Sequence, residues 1–151
     1  MSFKWFVATL SLTLGTSSAV QAAKNFNRIS SLPTYLKIAT VKDTKQESSA
    51  ETIPATADGN ILVYTDSSLG VIGMIDINDP QNPKALGNIK MQGELNTVSV
   101  IGNTAFVAVN TSDSYKNPTG KVHAINLKSL KEINRCEMGG QPNITAYYPD
   151  G

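Results

Sequence analysis

Short runs of apolar and β-branched residues alternate with turn residues from Glu51 to the end of the chain. Apolar side chains occupy every second position in several runs, as Ala105, Val107 and Val109 do. Because successive residues of a β-strand point to opposite faces of a sheet, this alternation is typical of strands. No sustained helical period accompanies it. The pattern therefore predicts an all-β fold.

The predicted strands fall into groups of four. The first group comprises residues 52–56, 61–65, 71–77 and 84–90. The second comprises residues 97–101, 104–109, 121–127 and 130–138, and a third group opens at 143–148. Asp58-Gly59 and Gly102-Asn103 are hairpin turn signals between the first two strands of their groups.

The groups repeat along the chain. The turn glycines Gly59, Gly102 and Gly151 recur at intervals of 43 and 49 residues. Four strands in each such interval is the signature of a β-propeller, whereas an immunoglobulin-like sandwich does not repeat internally at this period. We therefore predict an incomplete β-propeller of YVTN-like repeats: two four-stranded antiparallel blades at about 51–92 and 95–139, with a third blade begun at Asn143.

The N-terminus has the three parts of a secretory signal peptide. Lys4 gives a positive start, an apolar stretch follows, and Val20-Gln21-Ala22 is a small-x-small cleavage signature. We predict a signal peptide over residues 1–22, cleaved after Ala22, and a secreted product that is periplasmic if the source is a Gram-negative bacterium. Residues 23–50 are expected to hold an N-terminal strand at 35–41 and a polar linker.

Charge and cysteine content limit the partners. The chain has 13 Lys and Arg against 12 Asp and Glu, and removal of the signal takes away one base, Lys4. A neutral mature chain without a basic stripe argues against nucleic acid as a partner, and no segment outside the signal is long enough to cross a membrane.

Cys136 is the single cysteine, and we expect it to pack in a strand. The alternatives are an intermolecular disulfide bridge and a partner thiol in sequence outside this chain.

Several catalytic motifs are missing from the sequence. It has no Gly-x-Ser-x-Gly elbow, no phosphate-binding glycine loop with lysine, no zinc pair and no Cys-x-x-Cys. His123, the only histidine, is predicted to lie mid-strand as a packed or edge residue. The tyrosines do not recur at one repeat position, so we expect packing roles for them; they are Tyr35, Tyr64, Tyr115, Tyr147 and Tyr148.

Polar loop residues collect at one end of the predicted strands. In an up-and-down meander, the loop after each second strand and the loop after each fourth strand lie at the same end. Longer loops on a rigid scaffold commonly carry function, so this rim supplies the ligand-binding candidates Asp66, Glu94, Asn110, Asp113 and Asn143. Carboxylate and amide oxygens are suitable ligands for Ca²⁺, and Asp66 and Glu94 are the candidate ligands in this chain. The alternative is that these side chains bond their own turns.

Longer stretches resemble a known family. The run from Leu62 to Lys84, with VYTDSSLGVIGMIDINDPQNPK as its main part, resembles exported bacterial propellers of the "esterase-like activity of phytase" type. It is also similar to choice-of-anchor I propellers, which are sometimes labelled alkaline-phosphatase-like. Further similar pieces lie within 93–100, 107–120 and 139–151. The resemblance covers about residues 51–151. It implies a phosphate-ester hydrolase-like protein several hundred residues long, with hard cations neutralising phosphate charge.

Three functions follow as expectations. The chain is the N-terminal section of such a hydrolase-like propeller, inactive alone because it is truncated at the third blade; or it is a non-catalytic propeller module that binds protein or ligand; or it is the inactive product of a truncated gene. Two blades leave apolar faces and strand edges open, so self-association or a partner supplying the missing blades is expected.

Overall fold

A computed structural model describes residues 28–34 and 47–147. The described part is built from seven β-strands and contains no α-helix. The strands are β1 (Ile61–Asp66), β2 (Val71–Asp76), β3 (Lys84–Lys90), β4 (Glu94–Ile101), β5 (Thr104–Asn110), β6 (Gly120–Asn126) and β7 (Lys131–Met138). The predicted all-β class is confirmed.

The strands form two antiparallel sheets in sequence order, β1-β2-β3 and β4-β5-β6-β7. The first sheet has three strands and not the four predicted, because residues 52–56 run beside β1 with separate hydrogen bonds and bridges but form no regular strand. Ala50 and Ala55 form isolated bridges to Asp66 and Leu62, and the Val63 amide donates to the Pro54 carbonyl at 2.9 Å. Pro54 has no N–H to donate in return, so a regular ladder cannot form through it.

The core lies between the two sheets. Val63, Ile72 and Met74 of the first sheet are buried in one cluster with residues of the second sheet. Those second-sheet residues are Leu95, Val98, Val100, Ala105, Val107, Val109, Ile125 and Leu127. β4 contacts β1, and the apolar faces of the two sheets share this one cluster.

The described residues cover the outer face of the second sheet only in part, and we call it the open outer face. Phe106 and Val122 are only half-buried there, and all eight residues of β7 are exposed. Residues Ile144–Ala146 lie against this face, where they line one cavity with Ser99, Ile101, Phe106 and Val122. The strand predicted from Asn143 is not formed by residues 143–147.

The single cysteine and the single histidine have different environments. Cys136 is exposed on β7, which corrects the expectation of a packed thiol, because no other element among residues 28–34 and 47–147 covers this strand. His123 lies in β6 with 8% of its surface exposed, and its Nδ1 is 3.0 Å from Oε2 of Glu132. The prediction of a packed mid-strand histidine is confirmed.

The predicted signal peptide, the strand at 35–41 and most of the polar linker lie outside the described residues, as do residues 148–151. Within residues 28–34 and 47–147, no helix is long and apolar enough to cross a membrane.

The β1–β2 and β6–β7 turns have the same hydrogen-bonding pattern, but the last residue of the turn differs between them. Oδ1 of Asp66 accepts the amide of Leu69 before β2, and Oδ1 of Asn126 accepts the amide of Ser129 before β7. The first turn ends with Gly70 at φ 61°, but the second ends with Leu130 at φ 53°. Leu130 packs against the core, which offsets the left-handed backbone penalty of about 1–2 kcal/mol.

We predict that Leu130→Ala destabilises the fold more than Leu130→Gly, by about 1 kcal/mol, although alanine is the larger residue. Both variants lose the same packing, and only glycine relieves the left-handed backbone. Urea unfolding followed by circular dichroism measures the difference. Lys128 has no positive φ, so Lys128→Ala should be more stable than Lys128→Gly. If the alanine variant were also the more stable one at Leu130, the proposed backbone strain at Leu130 would be wrong.

Gly73 provides the space for the buried ring of Tyr64 on the neighbouring strand. A Cβ at position 73 would lie 2.3 Å from Cζ of Tyr64, far inside van der Waals contact. We expect Gly73→Ala to lower the free energy of unfolding by about 1–3 kcal/mol through displacement of this ring. Gly139→Ala is the control, because nothing lies within 4 Å of its Cβ. Equal stability of the two variants in urea would refute the packing role.

Candidate functional site

The antiparallel order of the strands places alternate connections at the same end. The connections after β1, β3, β5 and β7 lie at this end, which we call the loop-rich rim. The connection after β5 spans residues 111–119 and is longer than the connections after β1 and β3. Within each sheet, the predicted up-and-down order of the strands is confirmed.

The base of the site is the paired ends of β4 and β5. Glu94 lies opposite Asn110 in the ladder, and Nδ2 of Asn110 donates to Oε2 of Glu94 at 3.0 Å. Oδ1 of Asn110 accepts the amide of Ser112 at 3.0 Å. Gly93 allows this close approach, because a Cβ there would lie 2.5 Å from the Asn110 carbonyl oxygen and its φ is 103°. Asn110 therefore fixes both the Glu94 carboxylate and the start of the loop.

The loop after β5 is tied together by its own hydrogen bonds. The Thr111 amide donates to the Thr119 carbonyl at 3.1 Å, and Oγ of Ser112 accepts the Thr119 amide at 2.9 Å. Ser114 and Asn117 form a further bridge near the tip. These bonds hold Asp113 and Tyr115 above the strand ends.

Three of the predicted site residues line one open cavity of about 310 Å³. Its lining residues are Glu94, Asn110, Ser112, Asp113, Ser114, Tyr115 and Gln141. The sequence analysis missed Tyr115 and Gln141. Tyr115 was assigned a packing role, yet it is 99% exposed, and its place in the middle of the loop after β5 was the signal for a surface position.

Asp66 lies elsewhere, in the interior of the first sheet. It is fully buried, Oγ of Ser48 donates to its Oδ2 at 2.6 Å, and the Leu69 amide donates to its Oδ1 at 2.9 Å. Burial raises the pKa of the neighbouring Tyr64 phenol, and the negative charge of Asp66 raises it further. Both carboxylate oxygens of Asp66 thus have protein donors, which suits a role in holding the β1–β2 turn.

Asn143 also lies apart from the cavity lining. Nδ2 of Asn96 donates to the Pro142 carbonyl at 2.6 Å and lies 3.5 Å from Oδ1 of Asn143. This bond attaches the segment after β7 to β4.

The cavity is acidic. Glu94 and Asp113 contribute carboxylates, and none of the lining residues is Lys, Arg or His. Within the described part of the chain, no three His, Cys, Asp or Glu side chains are grouped so that they could hold a metal ion. If a cation bound at this rim, Glu94 and Asp113 with the nearby amide oxygens would be its ligands; Ca²⁺ at Asp66 and Glu94 remains a prediction.

A family model for the choice-of-anchor I domain matches residues 51–151, which include both sheets and the rim cavity. The chain belongs to the choice-of-anchor I family. The resemblance to choice-of-anchor I proteins seen in the sequence is confirmed by this match.

Individual matches are more distant. The uncharacterized protein MJ1554 of Methanocaldococcus jannaschii is 29% identical over 65 residues, which are 43% of this chain and 10% of that protein. The crystal structure of Kluyvelomyces marxianus Hsv2 matches with a TM-score of 0.42 and 13% identity over 61% of this chain and 25% of that one. The match to this choice-of-anchor I chain therefore covers only a tenth of MJ1554 and a quarter of the Hsv2 chain.

Asp66 and Asp113 should respond differently to removal of the carboxylate. Asp66→Ala leaves the Leu69 amide and the Ser48 hydroxyl without their buried acceptor, so we expect a loss of about 2 kcal/mol in the free energy of unfolding. Asp113→Ala, on the exposed loop, should stay within about 0.5 kcal/mol of the parent chain. Thermal and urea unfolding compare them, and a stable Asp66→Ala chain would remove the structural role.

Proposed function

We propose that this chain is part of an exported β-propeller protein, and that its loop-rich rim is a non-catalytic site for a polar ligand. The observation that carries the proposal is the convergence of three distant segments on one cavity. Glu94 begins β4, Asp113 and Tyr115 lie after β5, and Gln141 follows β7. Rigid sheets hold each segment, and sites built in this way are preorganised.

Phosphate-ester hydrolysis, the activity that the phytase resemblance implies, fits this cavity poorly. A phosphate ester carries negative charge, and the protein groups of the cavity are two carboxylates without a basic side chain, so only a bound cation could offset that charge. Like charges a few ångströms apart repel, more strongly where water is displaced. The chain by itself is therefore proposed to bind rather than hydrolyse.

Export and a neighbouring partner complete the proposal. The predicted signal with cleavage after Ala22 and membership of a choice-of-anchor family support a secreted or periplasmic location. The open outer face, with Phe106, Val122 and the exposed Ile101, supports a covering neighbour, either further blades or another copy of the chain.

We expect the purified chain to turn over no p-nitrophenyl phosphate, with or without Ca²⁺, and to bind small polar ligands at the rim. Amide chemical shifts of the ¹⁵N-labelled chain would be followed during titration with a panel of neutral saccharides, sugar phosphates, nucleotides and dipeptides. Shifts should move at Glu94, Asp113 and Gln141, and stay fixed at Asp58 and Asp79 in the turns of the opposite end.

Two results would overturn the proposal. Calcium-dependent turnover that Glu94→Gln abolishes would make the rim a catalytic site. Shifts confined to the opposite end, or no shifts with any member of the panel, would remove the rim as a ligand site.

A further inference from the structure

We infer that the ligand of the rim cavity is a neutral saccharide, bound by Tyr115 together with Glu94, Asp113 and Gln141. The inference rests on the proposed ligand-binding role of the rim and names the class of ligand. It depends on three properties of the cavity: polar groups without protein partners, one fully exposed aromatic ring, and the sign of its charge.

The cavity wall presents polar groups that the described residues leave unused. The side chains of Asp113, Tyr115 and Gln141 make no hydrogen bond or ion pair with any other residue in 28–34 or 47–147. Glu94 uses Oε2 for Asn110, and its other oxygen has no bond within the same residues. Carboxylates accept, the phenol donates and accepts, and the Gln141 amide does both. This mixed set matches hydroxyl groups, which also donate and accept.

Tyr115 adds an apolar surface beside these groups. Its side chain is 99% exposed and the fold gains no burial from it, yet it belongs to the cavity lining, and the Ser114–Asn117 bridge fixes the backbone on either side of it. An aromatic ring has an apolar face and, in tyrosine, a polar end. A sugar ring has the same division, because its axial C–H bonds form an apolar face and its hydroxyl groups project from the edge. Stacking on Tyr115 would direct those hydroxyls towards Glu94 and Asp113.

The charge of the cavity selects against anionic ligands. Two carboxylates face the ligand, and no lining residue is basic. A sugar phosphate would bring its charge close to both carboxylates, whereas the neutral parent sugar needs only hydroxyl contacts with them. The neutral sugar should consequently bind more tightly than its phosphate.

The test begins with the purified chain on an array of neutral gluco-, galacto-, manno- and xylo-oligosaccharides. We expect retention of at least one series, with a dissociation constant on the order of 1 mM, which is ordinary for a small ligand in an open site. The retained sugar is then compared, by ¹⁵N shift titration, with its 6-phosphate and its 2-amino derivative. The neutral sugar should bind at least fivefold more tightly than the phosphate and at least as tightly as the amine.

Two sets of variants separate stacking from charge. Tyr115→Ala should weaken binding of the neutral sugar at least tenfold, while Tyr147→Ala, another exposed tyrosine outside the cavity lining, should leave it unchanged. Asp113→Asn keeps a hydrogen-bonding group but removes a charge, so it should raise the affinity for the 6-phosphate relative to the neutral sugar. Circular dichroism confirms that each variant is folded.

The outcomes distinguish the two levels of the proposal. Rim shifts with a clear preference for the phosphate or the amine, or equal sugar affinity in Tyr115→Ala and the parent chain, would overturn the saccharide inference and leave the rim as a ligand site. If no sugar on the array bound but another class of ligand moved the rim shifts, the saccharide inference would also be wrong and the rim would remain a ligand site. Absence of rim shifts with all ligands would remove both.

Discussion

Burial of the apolar faces between the two sheets is the interaction on which the rest of the structure depends. Neither sheet can bury Val63 and Met74, or Leu95 and Val107, without the other, because these side chains meet at the shared face. At about 25 cal/mol for each Å² of apolar surface removed from water, this contact is the main stabilising interaction. It also fixes which ends of the strands lie together, since β4 contacts β1 and the antiparallel order then assigns every loop to an end.

The rim cavity follows from that arrangement, but it is built almost entirely on the second sheet. Glu94, Asn110 and the loop after β5 are joined by the β4–β5 ladder, and the loop closes on itself through Thr111, Ser112 and Thr119. The first sheet contributes no residue to the cavity lining. Asp66, at the equivalent end of β1, accepts hydrogen bonds from Ser48 and Leu69 instead. The two sheets thus use the same strand end differently: one for stabilising a turn, the other for presenting polar groups to solvent.

Local chemistry made most of the fold predictable from the sequence. Alternating apolar residues located the seven strands, and Asp58-Gly59 and Gly102-Asn103 located two of the turns. The failures arose where tertiary context decides. Residues 52–56 have strand-like composition, but Pro54 cannot complete a ladder. Cys136 has the burial preference of a small apolar residue, but no other element in the described part of the chain covers β7. Strand order alone put Glu94, Asn110 and Asp113 at one end, and the three line one cavity. The addition of Tyr115 and Gln141 to that lining depends on the course of the segments after β5 and β7, which no periodicity encodes.

The open outer face and the rim cavity are joined by the segment that follows β7, and its attachments explain how the cavity can form without a covering neighbour. Pro142 packs so closely on Gly120 that a Cβ there would lie 2.1 Å from the proline Cδ. Asn96 binds the Pro142 carbonyl from β4. Gln141, immediately before this anchor, is therefore positioned by contacts within the second sheet, while Ile144–Ala146 beyond it lie on the apolar face. A partner on that face would bury Ile144, which is 80% exposed, and would leave the anchor unchanged. Ligand binding at the rim should then depend little on what covers the outer face, because the contacts that set the cavity are already made within this chain.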